Sequence, residues 1–217
     1  KNFYKYRKVK GELLANSVTE HSFRKLLEWS KENLWIKKDC NNISKLCYDF
    51  YIKKSLGRVE KFLENKKDTE KFINGRLVPS TYELFNLIDT DWLCDGMPSQ
   101  FHGDFILDNI LETETGFCLL DWRQDFGGDL LVGDLYYDLA KLNHNLVVNH
   151  EIVNKKQFNH TADDCYIMCR TNLLECKRIL RDFIQENGYD YKKVMVLTSV
   201  IWINMAPLHE YPFNKFL

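Results

Sequence analysis

The sequence predicts a mainly α-helical fold with one small β-hairpin near its middle. Three observations predict it. Apolar residues recur at helical spacing along most of the chain. Two short apolar runs, Asn109–Leu111 and Phe117–Leu120, flank the turn-forming string Glu112-Thr-Glu-Thr-Gly116 and read as paired strands. Only 4 Pro and 10 Gly punctuate the 217 residues, so little of the chain reads as linker.

In chain order, Asn2–Val9 mixes aromatic and basic residues and suits a short strand, which Gly11 breaks. Thr19 is placed to cap a helix carrying Phe23, Leu26, Leu27 and Trp29. A second helix is expected from Asn42 to Leu63, interrupted by Gly57. Asn74-Gly75 reads as a turn and Thr81–Ile88 as a short helix. Ser99–Phe105 is a strand-loop segment that leads into the hairpin. Asp125–Val132 reads as a loop, and Asp134–Asn145 as a helix. Ala162–Glu186 reads as a long amphipathic helix stopped by Gly188. Tyr191–Met205, apolar nearly all round, is expected as a buried helix. Phe213–Leu217 begins another.

Composition excludes several function classes. The formal net charge of −1 gives no basic field for nucleic acid or an anionic membrane. No apolar run is long enough to span a bilayer, and Lys1–Lys10 lacks the apolar segment of a signal peptide. The 7 cysteines contain no C-x-x-C pair. Cys165, Cys169 and Cys176 fall at helical spacing and read as buried thiols, so a reducing cytoplasm is the expected compartment. An aromatic share of 14% predicts a core built on large rings.

The chemistry concentrates in one string. Phe101-His102-Gly103-Asp104-Phe105-Ile106-Leu107-Asp108-Asn109 leads into the hairpin, and Leu119-Leu120-Asp121-Trp122 closes it. A hairpin brings Asp121 back towards Asn109. Two carboxylates and an amide then converge, a hard-oxygen set suited to Mg²⁺ held together with substrate phosphates. The lack of a Cys or His cluster argues against zinc. A carboxylate left free of metal is placed to take a proton from a hydroxyl nucleophile. Asp108 reads as solvent-facing or loop-stabilising. Arg123 reads equally as a substrate or phosphate contact and as a structural ion pair. His144, His150, His160 and His209 show no partner spacing and read as surface or core.

These motifs resemble the aminoglycoside phosphotransferase and choline kinase superfamily. Its pattern H-G-D-x4-N, a strand ending in D-W, then G-D and D-L-A is matched by His102-Gly103-Asp104, Asn109, Asp121-Trp122, Gly133-Asp134 and Asp138-Leu139-Ala140. The resemblance implies a protein-kinase-like C-terminal lobe at 13–217 and a Mg-ATP-dependent transfer to a small-molecule hydroxyl. It implies Asp104 as catalytic base and Asn109 and Asp121 as Mg²⁺ ligands. His102 would support the catalytic loop, and Asp138 would accept hydrogen bonds from its backbone. Asp134 is expected as a helix cap. A sugar, polyol or choline-like acceptor is implied. The strings Asp121-Trp-Arg-Gln-Asp-Phe-Gly and Gly133–Leu142 are similar to phosphotransferases associated with bacterial surface-polysaccharide synthesis.

A kinase-like enzyme also needs a Gly-rich loop and a strand lysine over the ATP phosphates. Neither appears before His102. Residues 1–12 resemble the family's interlobe hinge, where backbone groups at Tyr6, Arg7 and Lys8 would bind adenine. An N-terminal lobe or fused domain outside this chain is therefore expected as a partner. Two other readings stand beside the enzyme. One is a non-catalytic binding or scaffolding module. The other is a protein-kinase lobe, suggested by Asp125-Phe126-Gly127 but opposed by Gly103 in place of the usual arginine and by the lack of A-P-E.

Overall fold

The computed structural model describes residues 8–64, 72–161, 164–210 and 213–217. A two-residue strand β1 (Glu12–Leu13) leads into a single-turn helix α1 (Leu14–Ser17). Thr19 caps α2 (Glu20–Asn33) through a reciprocal box with Ser22, satisfying donors that the first turn would otherwise strand. Phe23, Leu26 and Leu27 of α2 are buried against α9 (Thr171–Glu186), whose inward stripe includes Leu173, Cys176, Ile179, Leu180 and Phe183.

The helix expected between Asn42 and Leu63 runs as α3 (Ile43–Cys47), a wide π-type segment at Tyr48–Lys53, and α4 (Lys54–Leu63). The wide turn buries three successive residues, Phe50, Tyr51 and Ile52, which the 3.6-residue period does not allow on one face. Asn74-Gly75 forms the turn between β2 (Phe72–Ile73) and β3 (Arg76–Leu77), with both residues at positive φ. Ser80 and Glu83 form a second capping box on α5 (Thr81–Asn86), and Asp89 caps α6 (Thr90–Cys94).

The predicted hairpin is β5 (Ile110–Thr113) and β6 (Gly116–Leu119), preceded by the 3₁₀ turn Leu107–Asn109; β1 extends it to three strands in the order β1-β5-β6. Ile110 pairs with Leu119 and Thr113 with Gly116. β4 (Pro98–Ser99) pairs with β7 (Gly133–Asp134), which runs straight into α7 (Leu135–Asn145). Every residue of α7 is buried. Its main partner is α10 (Tyr191–Met205), which buries Val194, Leu197, Thr198, Val200 and Ile201.

One expectation is corrected. The stretch from Ala162 to Glu186 is not a single helix. A hairpin of β8 (Phe158–His160) and β9 (Cys165–Ile167) follows α8 (His150–Asn154), and α9 starts at Thr171. The side chain of Asn74 clamps Cys165 by accepting from its N (2.7 Å) and donating to its carbonyl (3.0 Å). These bonds, with the aromatic and β-branched Tyr166 and Ile167, override the helical spacing of the cysteines. Only Cys176 of the three sits on α9, and Ala162 lies outside the described residues. Gly188, at φ +71°, ends that helix as expected. The 3₁₀ turn Ala206–Leu208 and α11 (Phe213–Phe216) close the chain. Among the described residues no helix is long and apolar enough to cross a membrane.

Candidate active site

The segment from Phe101 to Asn109 is a loop whose shape is set by buried groups on α7. Asp138, fully buried, accepts from His102 N and Gly103 N at 2.8 Å each and from Trp35 Nε1 at 3.2 Å. Burial pushes the Asp138 carboxyl up to about 6, against the pull of those three donors. Two turns along, Asn145 accepts from Leu107 N at 2.9 Å and donates to Asp108 at 3.2 Å. Asp108 is therefore loop-stabilising, and His150 pairs with it at 3.2 Å. That contact raises His150 above the usual imidazole range.

Gly103 sits at φ +80°, and a Cβ there would lie 2.5 Å from Cβ of Arg123. Glycine is required at this point by both conformation and space. His102 is fully buried, and burial holds its ring below the ordinary range. As a neutral imidazole protonated at Nε2, it donates to Leu120 O (2.7 Å) and accepts from Asp104 N at Nδ1 (3.2 Å). The ring thus ties the strand end to the loop. Arg123 N donates to His102 O at 3.0 Å, and its Nε donates to Gly103 O at 3.1 Å. The Arg123 guanidinium also lies 5.1 Å from the Phe50 ring centre. Its observed contacts are to the loop backbone and to aromatic rings.

The loop and the segment after β6 bring three oxygen-bearing side chains, Asp104, Asn109 and Asp121, to the lining of one cavity of about 330 Å³. Asn109 donates through Nδ2 to the carbonyl (3.0 Å) and the carboxylate (3.1 Å) of Asp104. Its own Oδ1 is thereby turned away from Asp104. Asp121 is exposed and at φ +54°, a conformation uncommon for a non-glycine residue and concentrated at functional sites. Lys141, from α7, contacts Oδ1 of Asp104 at 2.8 Å, with its own side chain only 10% exposed. Sequence reading missed Lys141. The available signal was a set of polar residues, Asp134, Asp138, Lys141 and Asn145, at helical spacing from the N-cap to the end of α7.

Asp134 caps α7 through Tyr136 N and also accepts from Met97 N and, at 2.7 Å, from Tyr51 Oη. Asp125-Phe126-Gly127 forms a turn bridged from Phe126 to Asp129, with Phe126 fully buried among Phe50, Tyr51, Phe101 and Tyr137. Asp125 caps Gly128 N and does not line the cavity of Asp104. Of the hinge residues, Tyr6 and Arg7 lie outside the described residues, and Lys8 is exposed and belongs to no helix or strand. His144, His150 and His209, read from sequence as surface or core, line the same cavity as Asp104.

Among the described residues, no group of three or more His, Cys, Asp or Glu side chains is placed to hold a metal ion. Asn109 and Asp121 both line the cavity of Asp104, and their oxygens are of the type that hard cations bind. Comparison of the chain with protein-family models, with curated proteins and with solved structures finds no match.

Proposed function

We propose that this chain is the catalytic lobe of a Mg-ATP-dependent phosphotransferase acting on the hydroxyl of a small molecule. The observation that carries the reading is the convergence of Asp104, Asn109 and Asp121 on one cavity, with the Asp104 carboxylate oriented from both sides by Lys141 and Asn109. In this reading Asn109 Oδ1 and Asp121 hold Mg²⁺, which when bound neutralises charge on the phosphate oxygens. Asp104 accepts the proton of the acceptor hydroxyl as its oxygen attacks the γ-phosphorus. Lys141 fixes the rotamer of that carboxylate and places a positive charge where negative charge gathers in the transition state. Asp138, His102 and Gly103 do not touch substrate. They set the loop geometry on which the transfer depends.

Adenine binding by a hinge at residues 1–12, and a nucleotide-clamping N-terminal lobe outside this chain, belong to the same proposal and rest on the sequence resemblance. The test is transfer of the γ-phosphoryl of ATP by the protein in its full reading frame. Transfer should require Mg²⁺ and be lost in Asp104→Asn. Mg²⁺-independent transfer, or full activity in that variant, would refute the assignment.

A further inference from the structure

Three cations gather beside the cavity of Asp104. Lys54 and Arg58 stand one turn apart on α4, and Arg123 follows Asp121 by two residues. Two of them share the Phe50 ring, whose centre is 4.3 Å from Lys54 Nζ and 5.1 Å from the Arg123 guanidinium carbon. Both arginines are tied to neighbours of cavity-lining residues. Arg123 Nε donates to the Gly103 carbonyl at 3.1 Å, next to Asp104. Arg58 Nη1 donates to Asn204 Oδ1 at 2.8 Å, next to Met205.

All three cations are half-buried, and none has a carboxylate in ion-pair reach among the described residues. Charges drawn out of water are ordinarily paired. Burial, then the charges of Arg123 and Arg58, push Lys54 down to about 8, and the opposing pull of Asp125 is weaker than the push of either arginine. Asp125 is exposed and caps Gly128 N. An anion docked among the three cations supplies the missing partner, since guanidinium and ammonium groups both bind phosphate and carboxylate oxygens.

A second observation stands on the same face of α4. Gly57 is three residues from Lys54 and adjacent to Arg58. Its backbone is not at positive φ, and a Cβ there would meet no atom within 4 Å. Glycine inside a helix is unfavourable relative to alanine, and neither conformation nor packing requires one here. It leaves bare backbone and open space beside the two α4 cations, room for a ligand group to approach closely.

We infer that the acceptor carries an anionic group, a phosphate monoester or a carboxylate, held by Lys54, Arg58 and Arg123 while its hydroxyl meets Asp104. The inference rests on the phosphotransferase reading. The anion belongs to the acceptor and not to ATP because the two approach from different sides. The hinge assignment brings the nucleotide in at β1, which packs on β5, α1 and the Leu107–Asn109 turn, whereas α4 packs on α10 and the Ala206–Leu208 turn. Its charge separates this acceptor from the neutral or cationic one that the sequence resemblance implies. One acceptor oxygen forms a bond to the γ-phosphorus, the bond from that phosphorus to the bridging oxygen of ADP breaks, and the acceptor proton passes to Asp104. The anionic group takes no part in these bond changes.

The experiment uses the protein in its full reading frame and probes matched in their hydroxyl groups: glycerol with α-glycerophosphate and glycerate, glucose with glucuronate, and choline as the cation. Binding is measured without nucleotide by ligand-observed NMR, and transfer from Mg-ATP to the same compounds by steady-state kinetics. At least one anionic probe should bind about tenfold or more tighter than its neutral parent, and inorganic phosphate should displace it. The phosphate and carboxylate probes then tell which anion is preferred. Lys54→Met and Arg58→Gln should each weaken that binding tenfold or more, raising the KM for the acceptor and leaving the KM for ATP unchanged. Gly57→Leu fills the open space without removing a charge and should weaken binding at least threefold. Circular dichroism checks each fold, and if one variant does not fold the other two carry the test. No binding of any anionic probe, tighter binding of a neutral parent or of choline, binding unchanged in every folded variant, or a rise in the KM for ATP alone overturns the inference. Transfer to a neutral or cationic acceptor in that case leaves the phosphotransferase reading intact. Anion binding that the variants weaken, without transfer to any compound, removes that reading and leaves the anion site standing.

Discussion

Asp104 shows how much of a site a sequence motif can carry. The string His102-Gly103-Asp104 with Asn109 five residues on contains its own geometry, because the turn that separates them lets Asn109 donate back to Asp104. That local part was legible. The partner on the other side, Lys141, was not, because it lies 37 positions from Asp104, beyond the hairpin and the following loop, and only tertiary packing brings them together. Lys141→Met keeps the length of the buried stem and removes the charge. We expect kcat to fall by up to about 10²-fold, the scale of an ångström-level misplacement of a reacting group. Lys141→Arg should recover part of the loss, and circular dichroism should show an unchanged fold. Equal kcat in Lys141→Met and the parent would assign the lysine to packing alone.

At the scale of elements, α7 organises the loop. Its Asp138 receives three N–H donors on two oxygens, so replacing one oxygen by an amide nitrogen sets donor against donor. Asp138→Asn should cost about 1–3 kcal/mol in urea unfolding, the penalty of leaving buried polar groups unpaired. The pH dependence has two opposite signs. With its folded value raised to about 6, Asp138 contributes stability that is complete below the ordinary carboxylate value and is lost as pH rises through about 6. Activity runs the other way, because the charged carboxylate is the form that holds the loop. The kcat profile of the parent should therefore fall on acidification below about pH 6, with no matching loss of stability from this group. The end of α7 and its Asp134 cap were readable from residue order. The stretch from Ala162 to Glu186 was not, because the Asn74 clamp that makes Cys165 a strand residue lies 91 positions away.

At the scale of the whole molecule, the core and the site share one support. α7 carries the site residues on one face and is packed by α10. Leu197 of α10 is 1% exposed in the continuous apolar core. Leu197→Ala should destabilise the fold by about 2–5 kcal/mol, the range for emptying a leucine site in a core, with thermal or urea melts as the readout. A small change in melting point would mean that α10 is not the support described. The helical class, the hairpin and the loop from His102 to Asn109 followed from patterns within single segments. The cavity did not, because the segments around Asp104 and Asp121 meet residues near the end of the chain, such as Met205 and His209, only in the fold.

The central claim is that Asp104, Asn109 and Asp121 form one phosphoryl-transfer site. Its most direct test is transfer of labelled γ-phosphoryl from Mg-ATP to a small hydroxyl compound by the protein in its full reading frame, compared with Asp104→Asn and Asp121→Ala. The account predicts Mg²⁺-dependent transfer by the parent and a loss of at least about 10²-fold in each variant with the fold retained. Transfer that is equal in all three proteins, or no transfer by the parent to any hydroxyl compound, would contradict it.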